Sequence, residues 1–488
     1  MANNPALDSN YDLIYQGRRK IFMDDIPITE ENIREIVLTT YEAHTKNAAD
    51  ITYLYNYYKG IQPIRKRVKL TRPEINNRVV ANIAQEIVDF KVNYIDSDGV
   101  QYASINSDKL DDVQLLNRYM GIRDKDTLDK ELFSWVFIAG VGVKMATPEQ
   151  YPGYGERAPF EMYTLDPRNA YVVYRNKLGE PPAIGVKFVT LFDGTKIFSC
   201  YTEDHYYEFS VPIGDGFAEL VKSEPRYNRI IPIVEYTANM TRMGVFESVL
   251  DLLDLYNAVL ANRGDAIEQL VQSLLILRNI QLTDEQRQMI TQLGMIEYGD
   301  RASDMPGEVK YLSSDLDQNS AQTLQDTIYD TILRIVGMPN DRTHSTSSSD
   351  TGSAVILRSG WYEAEGRAAE AEKLFAKSEK IILEYVLNLC RETRSGFDPI
   401  DLTVSDISID IPRRPYENPQ SKAQVLNTLL ATIPPRQAYL YSNISVDIET
   451  DLKEYNEWIA EKEAKLGTAY ESEIVNEISE VNNETILT

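Results

Sequence analysis

An apolar stripe between residues 246 and 274 constrains this chain more than any other feature. Phe246, Val249, Leu250, Leu253, Tyr256, Leu260, Ile267, Leu270, Val271 and Leu274 recur at helical spacing, while Glu247, Asp251, Asp254, Asp265 and Glu268 fall on other faces. A helix of roughly 30 residues is about 45 Å long at 1.5 Å per residue. Such a rod outruns the core of a small domain and needs a second long element beside it. Leu324, Ile328, Ile332, Ile335 and Val336 form that second stripe, which Gly337 and Pro339 stop. The pattern predicts two antiparallel helices, over 244–274 and 315–339, with a mixed module at 275–314 joining their far ends. That module holds a helix over 283–293, capped by Gly294, and a strand at 309–312.

The flanking regions differ in character. After a polar tail over 1–28, Thr29 with Glu30 and Glu31 starts a helix that runs towards the tyrosine-rich 53–60. A basic run, Arg65, Lys66, Arg67 and Lys69, precedes a helix over 78–94 striped by Val79, Ile83, Ile87, Phe90 and Tyr94. Beyond a helix at 124–137, β-branched runs at 162–165, 171–174, 186–190 and 197–201 alternate with turn signals. Asp193-Gly194 is a hairpin signal, and Pro148, Pro152, Pro167, Pro181 and Pro182 mark loops. Residues 29–243 therefore read as an α+β region with an antiparallel sheet. A polar loop spans 340–352, and a long helix over 353–391 carries Gly360 and Gly366, which favour a bend. A strand at 403–411 ends at Pro412 and Pro415, and 412–488 is helical and acidic, with 433–441 joining two helices. The fold class is α+β, mostly α-helical.

Charge and motif content narrow the function. The 488 residues carry a formal charge of -25, which argues against a conventional DNA-binding surface. Two cysteines, Cys200 and Cys390, exclude a disulfide framework and read as reduced core thiols. The start of the chain lacks a basic, apolar leader, and the longest apolar stretch, 135–143, is about half of the ~20 residues a membrane span needs. A soluble, intracellular product with no membrane partner is expected. No Gly-x4-Gly-Lys-Ser/Thr pattern occurs, so the chain is not an ATP-driven motor by itself. His44, His205 and His344 are too scattered for a metal motif. Asp315, Asp317 and Asn319 imitate a calcium loop, but Ser320 and Asp326 stand where glycine and glutamate are required, so a helix cap fits better. No carboxylate pair stands apart as a general acid and base, and neither catalysis nor a cofactor is expected. Tyrosines 53–58 fit core packing, with base stacking as the alternative. The basic run fits a solvated loop or inter-subunit ion pairs, with phosphate contact as the alternative.

Several separated stretches, in order, resemble the portal proteins of long-tailed bacteriophages. They are YYKGIQPI at 57–64, NNRVVANIAQEIVDFKVNY at 76–94, YNRIIPIVEY at 227–236 with FESVLDLLDLYN at 246–257, and SAVILR at 353–358. The segment 95–99 departs from the family's apolar turn. The resemblance implies a ring of about 12 subunits at one capsid vertex, in the virion after assembly in the host cytoplasm. In it, 29–243 becomes the wing, 244–274 and 315–339 the stem, and 275–314 the clip. The loop 340–352 becomes the tunnel loop, 353–411 the kinked wing helix and strand, and 412–488 the crown and C-terminal tail. The implied partners are double-stranded DNA read without sequence specificity, the terminase large subunit, a head–tail adaptor, and capsid and scaffolding proteins. Such a ring would carry about -300 formal charges, so DNA would slide past it rather than stick. On the tunnel loop, Arg342, His344, Ser345, Thr346 and Ser347 are the candidate DNA contacts, with a merely sealing loop as the alternative. Two rival readings are another virion structural protein, such as a tail or capsid subunit, and a metal-dependent nuclease.

Overall fold

The computed structural model describes residues 17–70, 73–97, 99–149, 156–212, 218–271, 274–278, 308–312, 318–340, 360–391, 397–413, 419–442, 448, 450–460 and 462. In chain order the elements begin with β1 (Ile21–Met23), α1 (Ile33–Tyr58), α2 (Ile83–Ile95), β2 (Gln101–Ser104), α3 (Leu110–Ile122) and α4 (Lys125–Ala139). Eight strands follow: β3 (Gly142–Pro148), β4 (Phe160–Leu165), β5 (Ala170–Arg175), β6 (Pro182–Thr190), β7 (Lys196–Tyr201), β8 (His205–Val211), β9 (Glu219–Pro225) and β10 (Ile233–Tyr236). Then come α5 (Leu250–Val271), β11 (Leu274–Arg278), β12 (Glu308–Leu312), α6 (Gln318–Val336), α7 (Trp361–Arg391), β13 (Ile407–Asp410), α8 (Pro419–Leu430) and α9 (Pro435–Ser442). They divide into two compact units, one drawing on Met1–Tyr58, Ala84–Ser248 and Gly337–Thr488, the other on Lys59–Ile83 and Val249–Val336.

The first unit is the α+β part. Its largest sheet has the order β1-β5-β6-β7-β8-β9 and is antiparallel except at one edge, where β1 runs parallel to β5 with Ile21 opposite Val173. That parallel edge corrects the all-antiparallel expectation; three residues are too few to show a strand period. The β6–β7 hairpin turns at Gly194, whose φ of +82° suits glycine, with the Thr195 amide donating to Asp193 Oδ1. One face of the sheet packs on α1, burying Ile33 and Val37 with Tyr171, Val173, Ile184 and Phe198. A second sheet, β10-β3-β4, sits beside α7, whose Phe375 stacks on Phe133 of α4 at 4.6 Å between centroids. The third pairs β2 with β13, joining residues 101–104 to 407–410.

Several expected boundaries move. α2 starts at Ile83 rather than 78, and Val79 is exposed. Between 78 and 82 a local helix loses to specific capture of the backbone, because the Ala81 amide donates to Asn257 Oδ1 at 2.8 Å. The strand expected over 403–411 is a 3-10 turn, Val404–Asp406, followed by a four-residue strand. A reciprocal cap between Thr403 and Asp406 holds that turn. α7 begins at Trp361, so Gly360 lies before the helix with φ +88° rather than inside it, while Gly366 is internal. Residues 353–359 lie outside the described residues.

The second unit contains the helix pair. α5 spans 22 residues, about 33 Å rather than 45 Å, with a 3-10 turn Glu247–Val249 before it and β11 taking over at Leu274. α5 and α6 run antiparallel, Tyr256 meeting Tyr329 at 6.2 Å and Arg263 Nη1 donating to Gln322 Oε1 at 2.7 Å. On α6, Ile328, Ile332 and Val336 are buried as the stripe requires, whereas Leu324 and Ile335 are exposed. β11 and β12 pair antiparallel from Leu274 opposite Leu312 to Arg278 opposite Glu308. The expected helix over 283–293 and the acidic cap at 315–317 lie outside the described residues.

Candidate functional site

The five candidate DNA contacts, Arg342, His344, Ser345, Thr346 and Ser347, lie outside the described residues. The basic run has a different fate from those considered for it. Arg67 Nη2 lies 3.0 Å from Asp265 of α5 and 2.6 Å from Asn262 Oδ1, and Lys69 Nζ is 3.0 Å from the same Asp265 oxygen. Asp265 also accepts from the Asn77 amide at 2.7 Å and the Asn77 side chain at 3.0 Å. Burial alone would raise its pKa, but these donors and the two cations hold it below the usual carboxylate range. Arg65 is turned back, Nε to the Gly60 carbonyl at 2.6 Å. Asp265 thus takes up two of the four cations within the chain, while Arg65 meets only a carbonyl and Lys66 is left at the surface.

The tyrosine cluster resolves into packing. Tyr57 is fully buried and stacks on Phe246 at 5.9 Å, Tyr55 stacks on Trp135 at 5.1 Å, and the Tyr58 hydroxyl donates to Asp89 at 2.9 Å. Both cysteines are free and buried, and burial pushes their thiols up, Cys390 to about 12, so neither is poised as a nucleophile. His44 is buried in the core, Nε2 at 3.0 Å from the Arg168 carbonyl and its ring 4.3 Å from that of Tyr171, while Nδ1 has no hydrogen-bond partner among the described residues. Among the described residues no three His, Cys, Asp or Glu side chains come together to hold a metal ion, and no helix is long and apolar enough to cross a membrane.

The feature that sequence reasoning missed is a buried charge cluster in the first unit. Lys125 and Asp129 of α4, Lys144 of β3 and Glu379 of α7 are essentially inaccessible. Asp129 accepts from both lysines, and Glu379 lies 3.3 Å from Lys125 and 3.1 Å from Lys144. The hydroxyls of Tyr102 on β2 and Tyr236 on β10 donate to its two oxygens at 2.6 and 2.5 Å. Burial works against every charge here. Even so, the two ammoniums hold Glu379 well below its ordinary pKa, and the carboxylates hold Lys125 above its own. Two cations thus balance two anions, and four elements meet on one side chain of α7. In sequence, Lys125 and Asp129 pass for an ordinary i,i+4 surface pair; Glu379, 250 residues further on, has no local signal.

A second buried pair ties Arg18 to Glu247. Arg18 Nη2 lies 3.1 Å from Glu247, which also accepts from the Gly244 amide at 2.8 Å. Burial pushes the Glu247 carboxyl up and the Arg18 guanidinium down, each offset by the attraction of the other. None of these clusters presents a nucleophile beside a base, or an open position for a reacting group.

Comparison with known proteins bears on the whole chain. No curated protein matches it. A chain of a solved structure titled "Virion of native gene transfer agent (GTA) particle" is similar, with a TM-score of 0.42 and 12% identity over 81% of this chain and 94% of that one. The family model described as "Phage portal protein, SPP1 Gp6-like" matches residues 39–467, a span that takes in most of the first unit, the helix pair and the long α7. The chain is a member of that phage portal protein family and a component of the virion.

Proposed function

We propose that about twelve copies of this chain form a ring at one capsid vertex, through which double-stranded DNA passes during packaging and ejection. The observation that carries this reading is the family match over 39–467. Its parts are consistent with the antiparallel pair α5 and α6 as stem, the β11–β12 ladder and its connection as clip, and the loop before α7 as tunnel loop. In this reading the clip takes the terminase large subunit and later the head–tail adaptor, and the ring meets capsid and scaffolding proteins as it assembles in the host cytoplasm. A charge of -25 per chain favours sliding of like-charged DNA. Because the sequence carries no P-loop pattern, ATP chemistry belongs to a partner.

Electron microscopy of the purified protein tests the ring. Closed rings of about a dozen subunits with a central hole are expected; a compact monomer under all assembly conditions overturns the reading. The loop is tested separately by replacing 341–349, which include Arg342, His344, Ser345, Thr346 and Ser347, with a Gly/Ser linker. Packaging of DNA into heads is expected to fall with rings intact, and undiminished packaging removes these residues as DNA contacts.

A further inference from the structure

We propose that a cleft in the first unit, between the end of α2 and the exposed face of α4, binds an organic cation: an ammonium or guanidinium on a flexible aliphatic chain. The cleft is open and about 530 Å³ in volume. Its lining includes the acidic residues Asp96, Asp126 and Glu131, with Lys130, Thr127 and Ser134. Gly99, whose φ of +76° suits glycine, brings the backbone beside the Asp126 carboxylate.

Acidic lining alone would say little; Asp96 says more. It is 8% exposed, and its Oδ1 has no hydrogen-bond partner among the described residues. Its amide donates to the Val92 carbonyl at 3.0 Å, which places the carboxylate at the C-terminal end of α2, where helix carbonyls already concentrate negative partial charge. Burial, then the neighbouring Asp129 and Asp126, raise its pKa to about 6 against the opposing pull of Lys125 and Lys130. Burial, the helix C-terminus and the two neighbouring carboxylates together outweigh the two lysines and disfavour an anion, and asparagine would fill the same space without the cost. A side chain held against local stability and lining an open cleft is the signature of a binding group whose counter-ion arrives from outside.

The geometry favours an organic cation over a metal ion. No three His, Cys, Asp or Glu side chains converge on a metal position among the described residues. The opening has room for an extended chain, and the hydroxyls of Thr127 and Ser134 can accept N–H donors. A lysine or arginine of a neighbouring protein and a free polyamine offer the same chemistry. The inference does not depend on ring formation.

The test is calorimetric titration of the full-length protein with spermidine, with a short Lys/Arg peptide, and with MgCl2 at matched ionic strength. Spermidine or the peptide is expected to bind saturably, at least about tenfold (~1.4 kcal/mol) more weakly to Asp96→Asn and to Glu131→Gln. The tighter of the two ligands identifies the source. Because a bound cation favours the ionised carboxyl, wild type is also expected to release protons on binding near pH 6, seen as buffer-dependent heat, and Asp96→Asn is not. Equal binding by wild type and Asp96→Asn overturns the proposal, as do binding of Mg2+ alone and binding of neither organic cation. Circular dichroism establishes that Asp96→Asn is folded; otherwise the exposed Glu131→Gln decides the question.

Discussion

Glu379 carries no exposed surface and faces two ammoniums and two tyrosine hydroxyls. Neutralising it leaves Lys125 and Lys144 against Asp129 alone, and removing one member of a buried ion cluster costs about 3–5 kcal/mol. Glu379→Gln is therefore expected to lower the unfolding free energy from urea denaturation by that amount at unchanged slope, and Lys144→Met added to it to recover part of the loss by restoring balance. An unfolding free energy within about 0.5 kcal/mol of wild type for Glu379→Gln would contradict the charge assignment. His44 gives a pH prediction of definite sign. Burial lowers its pKa to about 4 from the ordinary 6.5. The folded chain thus resists a proton that the unfolded chain accepts, so this stability is complete above about 6.5 and is lost as pH falls towards 4. Asp96, raised to about 6, acts in the opposite sense and gains stability as pH falls through that value. Unfolding midpoints between pH 7 and 4 are expected to fall less steeply in His44→Gln and more steeply in Asp96→Asn.

At the scale of elements, the segment Lys59–Ile83 is held to α5 by side chains rather than by secondary structure. Asn257 accepts from the Ala81 amide and donates to Gln62 Oε1 at 2.6 Å, and Asp265 gathers Asn77, Arg67 and Lys69. Asp265→Ala removes the acceptor of a half-buried amide and frees two cations, a loss of about 1–3 kcal/mol. Trypsin is expected to cut at Arg67 and Lys69 markedly faster in this variant at native temperature; an unchanged cleavage rate would show that other contacts hold the segment. Elements whose signals are local were legible: α4, α6 and the strands β4 to β7 fall where apolar period and turn residues put them. Failures occurred where a side-chain contact, distant or local, competes with the apolar pattern. The start of α2 yields to Asn257, the strand after 403 yields to a cap between Thr403 and Asp406, and the stripe from Phe246 continues through a 3-10 turn because Glu247 is turned inward to Arg18.

For the whole molecule, the α+β class and family could be read from sequence because they rest on the order of many local patterns. The buried charge cluster and the Asp96 cleft could not, because each is assembled from segments far apart in the chain. The pairing of β2 with β13 has the same long reach, joining Gln101 to Asp410, and the unit that contains it is built from three separate stretches of chain. A ribosome adding 5–20 residues per second needs roughly 15–60 s to make the strand that β2 awaits. Throughout that interval β2 lacks its strand partner, and until residue 379 emerges Lys125 and Lys144 share Asp129 alone. The first unit must therefore complete its folding after most of the chain has left the ribosome, and a nascent copy depends on its surroundings to stay unaggregated until residue 410 emerges.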